Sequence, residues 1–184
     1  MRSVKRLLSI SLLLFTLAWS VWYIYAGLGN VKDPLFWLYK YRTLESGWMA
    51  IGSILMGGAC VRLFGAELLP LRIIGWVCTV GAILIPYLSL LNREERRDNL
   101  HWLALAFGLM NYAAFQELSA GTFTVPILSS IATLAVLYRR QPSVAKVIAM
   151  GLLAGLAVTV RFPNVLVLLL LINHYPLDNS FWKR

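Results

Sequence analysis

The chain is poor in acid, histidine and cysteine: its 184 residues include eight Asp and Glu together, two His and two Cys. Each shortage closes off some chemistry. Cys60 and Cys78 lie inside apolar runs, with no CxxC spacing and no histidine pair nearby. That excludes a zinc site and reads as two buried free thiols. His101 follows an arginine cluster, where it reads as a headgroup anchor, and His174 follows the last apolar run without a second ligand near it. There is no internal repeat, no low-complexity segment, and no stretch polar enough for a soluble domain. The 17 Lys and Arg leave a net charge of +9. They cluster between apolar runs rather than along a solvated face, which excludes nucleic-acid binding.

Apolar residues are abundant. They make up 59% of the chain, and its mean hydropathy is +0.71. A soluble domain would be about 45–50% apolar. Several runs approach the length of about 20 residues that crosses roughly 30 Å of hydrocarbon. The expectation is an all-α, polytopic transmembrane bundle of about six hydrophobic segments, with an interfacial helix in the first outer loop.

Residues 7–27 form the first expected span. The run is too long for a signal peptide and has no small-x-small cleavage site, so it is read as uncleaved. Arg2, Lys5 and Arg6 hold its start in the cytoplasm. An outer loop follows over 28–67. Within it, 48–64 is apolar but short and carries Gly52, Gly57 and Gly58, and is placed at the outer surface among the headgroups. Further spans are expected at 68–91, 100–117 and 122–138. Pro126 is read as lying one turn into the last of these, where a missing N–H costs little. The region 147–172 is broken by Arg161-Phe162-Pro163-Asn164. A charge at the centre of one span would cost about 2.5–3.5 kcal/mol, so two short helices, 147–160 and 164–174, are expected to meet at that turn. The inner segments then collect Arg93, Arg96, Arg97, Arg139, Arg140, Lys146, Lys183 and Arg184. This bias places the amino terminus in the cytoplasm, in a multi-pass protein of a bacterial inner membrane.

Two residues are the leading site candidates. Asp33 sits where the first helix would run out. A carboxylate beside lipid loses hydration and binds its proton more tightly, which suits a general base; the plainer alternative is a turn residue before Pro34. Arg161 needs a partner at membrane depth, and a phosphate fits its planar fork; the alternative is an arginine snorkelling to the interface. Lys40, Arg42 and Glu45 stand among Phe36, Trp37, Tyr39 and Tyr41. With Glu67 they could face a sugar or phosphate, or simply a solvated interface.

Three stretches carry a resemblance: DPLFWLYKYRTLESGW (33–48), LFGAELLPLR (63–72) and GLLAGLAVTVRFPN (151–164). In order and spacing they resemble the amino-terminal part of the GT-C glycosyltransferases, polytopic enzymes that take a sugar from a polyprenyl-phosphate carrier at the outer face. The likeness is to the mannosyl- and aminoarabinose-transferring branches. It implies that Asp33 is the catalytic acidic residue and that Arg161 lies near the lipid phosphate. Lys40, Arg42 and Glu45 would line the substrate cleft. The family's second acidic residue has no counterpart in SAGTFTVP (119–126), and Glu117 would stand in for it. The resemblance allows a divalent metal without requiring one, and names no other cofactor. Its partners would be the bilayer, the polyprenyl-linked donor, and further subunits or a missing carboxy-terminal part. The competing expectation is a non-catalytic small membrane protein: an assembly subunit, a carrier or a truncated gene product.

Overall fold

The structure, a computed structural model, describes residues 2–26, 32–45, 50–112, 119–166 and 169; at 2, 3, 5, 23, 26, 32–34, 110–112 and 120 only the backbone is described. Every element among them is helical. In chain order these are α1 (Arg2–Ala26), α2 (Lys32–Thr43), α3 (Ile51–Phe64), α4 (Leu68–Leu90), α5 (Arg93–Asp98), α6 (Leu100–Tyr112), α7 (Ala120–Arg140) and α8 (Val144–Val160). A further helical turn opens at 164–166.

Two helices are long and apolar enough to cross a membrane, Leu68–Leu90 and Gly121–Arg140. The apolar parts of the others, Arg6–Trp22, Ile51–Phe64, Leu100–Leu109 and Val144–Val160, are shorter. The all-helical class therefore holds, while a bundle of six spans goes beyond what these lengths give. The ends of the expected 100–117 and 164–174 segments, like His174, lie outside the described residues.

The helix ends follow from local chemistry. Asn92 and Glu95 close a reciprocal capping box, with Glu95 N–H donating to Asn92 Oδ1 at 2.9 Å and Asn92 N–H to Glu95 Oε2 at 2.8 Å. It starts α5 in what the sequence offered as a plain connector. Ser119 and Thr122 do the same for α7. That start makes Pro126 the seventh residue of α7. It lies beyond the first turn, so its missing N–H deletes an intrahelical bond to the Thr122 carbonyl. Pro34, by contrast, falls in the first turn of α2, where N–H groups have no intrahelical acceptor.

α4 and α7 run side by side in the same direction. Leu71 and Phe123, near their starts, share one buried cluster, and at their far ends Arg140 Nη1 donates to Leu90 O at 2.9 Å. α8 returns antiparallel, so that Ala157 and Val160 reach the same cluster. α6 packs closely on α1, and both touch α4. The α1 face turned inward is small and polar: Ser9, Thr16 and Ser20 are buried. Thr16 and Ser20 return their hydroxyls to the carbonyls of Leu13 and Thr16. Ala104 on α6 is fully buried, and a Cβ at Gly108 would touch Thr16 Cγ2 at 3.5 Å. Small residues on both helices allow this close approach.

The bundle thus has two unlike ends. At one, cations close the helix carboxy-termini, whose last carbonyls lack intrahelical donors. Arg96 donates to Leu91 O (2.9 Å) and Leu88 O (3.0 Å), and Lys146 Nζ to Leu137 O (3.3 Å) and to Gln141 O. At the other, α2 and α3 form a cap.

Candidate functional site

The cap is built on glycine. A Cβ at Gly52 would meet Thr159 and Val160, main-chain atoms included, at 2.6–2.9 Å. One at Gly57 would strike the Tyr41 ring at 2.3 Å, and one at Gly58 would strike Leu44 Cδ2 at 2.5 Å. The three absent side chains are notches in α3. One takes the last turn of α8, one the Tyr41 ring, and one the end of α2. Tyr41, 1% exposed, is the pin that joins the cap to Leu71, Phe123, Ala157 and Val160. Burial, and then proximity to Cys60, pushes its phenol pKa up. α2 ends at Leu44, whose φ of 53° is left-handed. That costs a non-glycine residue about 1–2 kcal/mol, offset here by seating the side chain on Gly58.

Asp33 falls in the first turn of α2 rather than in a loop. Its register position is one turn before Trp37 and two before Tyr41. Trp37 and Tyr41 pack ring on ring at 5.8 Å, and Trp37 lies against the core cluster. At 100° per residue Asp33 stands on the flank of α2, about 80° from Tyr41 and nearly in line with Lys40, and about 12 Å along the axis from Tyr41 at 1.5 Å per residue. Its side chain lies outside the description, as does all of Glu117.

The charged residues downstream lie at the surface. Lys40 Nζ pairs with Glu45 Oε2 at 3.7 Å and lies 5.8 Å from the Phe36 ring centroid, while Tyr39 Oη donates to Glu45 Oε1 at 3.3 Å. The pair closes the α2 corner at the surface, and Arg42 is exposed beside it. Such an exposed pair contributes at most about 1 kcal/mol.

Arg161 is the C-cap of α8, exposed, with its N–H bonded to Ala157 O at 3.0 Å. It emerges just beyond the Thr159–Val160 peptide, which with the Thr159 hydroxyl fills the Gly52 notch. The turn expected at Arg161–Asn164 is present. Its last residue is more than a turn former: Asn164 is buried, and its Nδ2 donates to Ala157 O at 2.7 Å and Thr124 Oγ1 at 3.3 Å, tying α8 to α7.

Two shallow grooves flank the end of α3. One, ≈ 310 Å³, is lined by Leu44, Leu55, Gly58, Ala59, Leu63 and Arg62. The other, ≈ 300 Å³, runs past Phe64, Glu67, Leu69 and Ile73. Among the described residues no three His, Cys, Asp or Glu gather closely enough to hold a metal ion. The described side chains thus offer no donor set for the divalent cation that the resemblance allows.

Sequence reading overlooked two arginines at this end. Arg62 lines the first groove, and Arg72 stands on α4 with its Nε buried and without a hydrogen-bond partner among the described residues. The signal was available for Arg72, since it interrupts the apolar run 68–91 much as Arg161 interrupts 147–172. The chain matches no protein-family model, no curated protein and no solved structure.

Proposed function

We propose that the chain is a multi-pass membrane glycosyltransferase of the GT-C type, or the amino-terminal module of one, working at the outer face of a bacterial inner membrane. The observation that supports this most is that α2, whose first turn carries Asp33, packs with α3 into a cap over the start of α4 and the Arg161 turn. The cationic end, carrying Arg96, Arg140 and Lys146, is taken as cytoplasmic by the positive-inside rule, which turns the cap outward. α4 and α7 are long enough to span. α1, α6 and α8 would cross as shorter, packed helices, with α3 at the headgroups.

In this reading the Asp33 carboxylate takes the proton of an acceptor hydroxyl or amine. The freed lone pair bonds to the anomeric carbon of the sugar, and the bond from that carbon to the phosphate oxygen breaks. The electron pair leaves with the polyprenyl phosphate, whose charge Arg161 would hold through paired N–H bonds. Lys40 and Glu45, being paired with each other, would shape the rim rather than take part.

The test is turnover of a polyprenyl-phosphate-linked sugar by the protein in lipid nanodiscs. Removing a general base costs about 10²–10⁴-fold, so Asp33→Asn should fall by that much while helix content is unchanged. Unaltered turnover in Asp33→Asn refutes the base. The open, apolar character of both cap grooves favours a second reading, a non-catalytic subunit or carrier. Wild-type protein without turnover would favour that one, or the reading as a fragment of an enzyme.

A further inference from the structure

We infer that α5, at the cationic end, lies along the inner headgroup layer and binds anionic phospholipid through Arg93 and Arg97. The inference rests on the membrane reading above, with that end inside. Its test does not depend on sugar transfer.

The charges of α5, Arg93–Asp98, are sorted rather than mixed. At 100° per residue Arg93, Arg96 and Arg97 share one arc of about 100°, and Glu94, Glu95 and Asp98 share another nearly opposite. The pairs four positions apart are Arg93 with Arg97 and Glu94 with Asp98. Like charges at that spacing destabilise a helix, where opposite charges would support it. Such an order suits a helix whose two faces meet different surroundings.

Arg96 fixes which face is which. Its Nε and Nη2 donate to Leu91 O and Leu88 O, and its own carbonyl accepts from Tyr87 Oη. The arginine arc is thereby turned toward the end of α4, and so toward the membrane. Glu94 and Asp98, each about 160° around the helix from Arg96, turn to water. Arg93 and Arg97 flank Arg96 and are exposed, and their side chains have no hydrogen bond or ion pair among the described residues.

The depth is that of the headgroups. α5 follows directly on α4, which is long enough to span, and Trp102, 60% exposed, stands one turn beyond it. Exposed tryptophan is characteristic of the membrane–water interface. Arg140, bonded to Leu90 O, brings the end of α7 to the same place. Over residues 91–101 and 137–148, whose side chains are all described, six Lys and Arg stand against three Asp and Glu. That surplus of positive charge lies where the anions within reach are lipid phosphates.

Binding is measured on the full chain in maltoside micelles, with phosphatidylglycerol, phosphatidylcholine of the same acyl chains, and polyglutamate. Phosphatidylglycerol should bind above phosphatidylcholine and lose that preference in molar salt. A basic residue beside an anionic surface contributes about fivefold in affinity, so Arg93→Gln with Arg97→Gln should weaken phosphatidylglycerol about 25-fold and leave phosphatidylcholine unmoved. Glu94→Gln with Asp98→Asn changes the net charge equally in the other direction, but on the water face, and should move either lipid less than about twofold. Equal binding of the two lipids overturns the inference, as does undiminished phosphatidylglycerol in the arginine double variant. So does a mirror-image rise in the acid double variant, which would trace the effect to net charge alone. If a variant misfolds, a wild-type preference that survives molar salt is enough to overturn it. Polyglutamate bound more tightly than phosphatidylglycerol would give the face to an acidic protein instead. Phosphatidylglycerol preference without turnover would count against the transferase and keep this surface; turnover without the preference would do the reverse.

Discussion

Gly57 and Tyr41 show how one residue can decide a whole junction. A methyl group at Gly57 would lie 2.3 Å from the ring, so Gly57→Ala must displace either the pin or the helix. Such overpacking costs about 1–3 kcal/mol. Gly81→Ala is the matched control: nothing lies within 4 Å of its Cβ position, and in mid-helix it should gain about 0.4–1 kcal/mol. Unfolding in detergent should show the two changes moving stability in opposite directions; equal shifts would mean that the notch is not closed in solution. Little of this could be read from the sequence. Gly52, Gly57 and Gly58 mark α3 as unusual, but a notch is defined by what enters it, and Tyr41 lies 16 positions from Gly57. Tyr41 itself reads as one more interfacial aromatic. Asp33 was legible because an acid at the end of an apolar run is conspicuous. Its place in a helix was less so, because Asp-Pro reads as a turn when the first turn's free N–H groups are overlooked.

At the scale of helices, α4 and α7 are fitted together through a defect. Pro86 lies inside α4 and cannot donate to the Ala82 carbonyl. Ser129 Oγ, on α7, donates to that oxygen instead. Ser129→Ala should therefore destabilise by about 0.6–2 kcal/mol, the range for hydrogen bonds between membrane helices. Pro86→Ala restores an N–H within α4, so in that background the loss at Ser129 should shrink. A double-mutant cycle reads the coupling directly, and additive effects would show that the two defects are independent. α4 and α7 were each visible in the sequence as an apolar run bounded by charge or by turn residues. The pairing was not, because Pro86 and Ser129 each look like a local feature and only the fold sets them opposite one another. α5 could have been read as well, from Asn92 and Glu95 at capping-box spacing.

Taken whole, the molecule has a cationic end and a capped end, and this polarity was legible in the distribution of arginine and lysine. The number of crossings was not, since Val144–Val160 and the apolar part of α1 are near the lower limit of a span. Orientation can be checked on intact cells. In a background with Cys60 and Cys78 replaced, a membrane-impermeant thiol reagent should modify Glu45→Cys and spare Glu94→Cys; modification of Glu94→Cys alone would invert the topology. The way the cap is attached has a consequence of its own. Between described side chains the one ion pair, Lys40 with Glu45, lies within the cap itself. Among the described side chains, what fastens the cap to the bundle is shape and apolar contact, which dissolved electrolyte does not screen. Brine should leave the lid seated, and only agents that compete for greasy surface should prise it off.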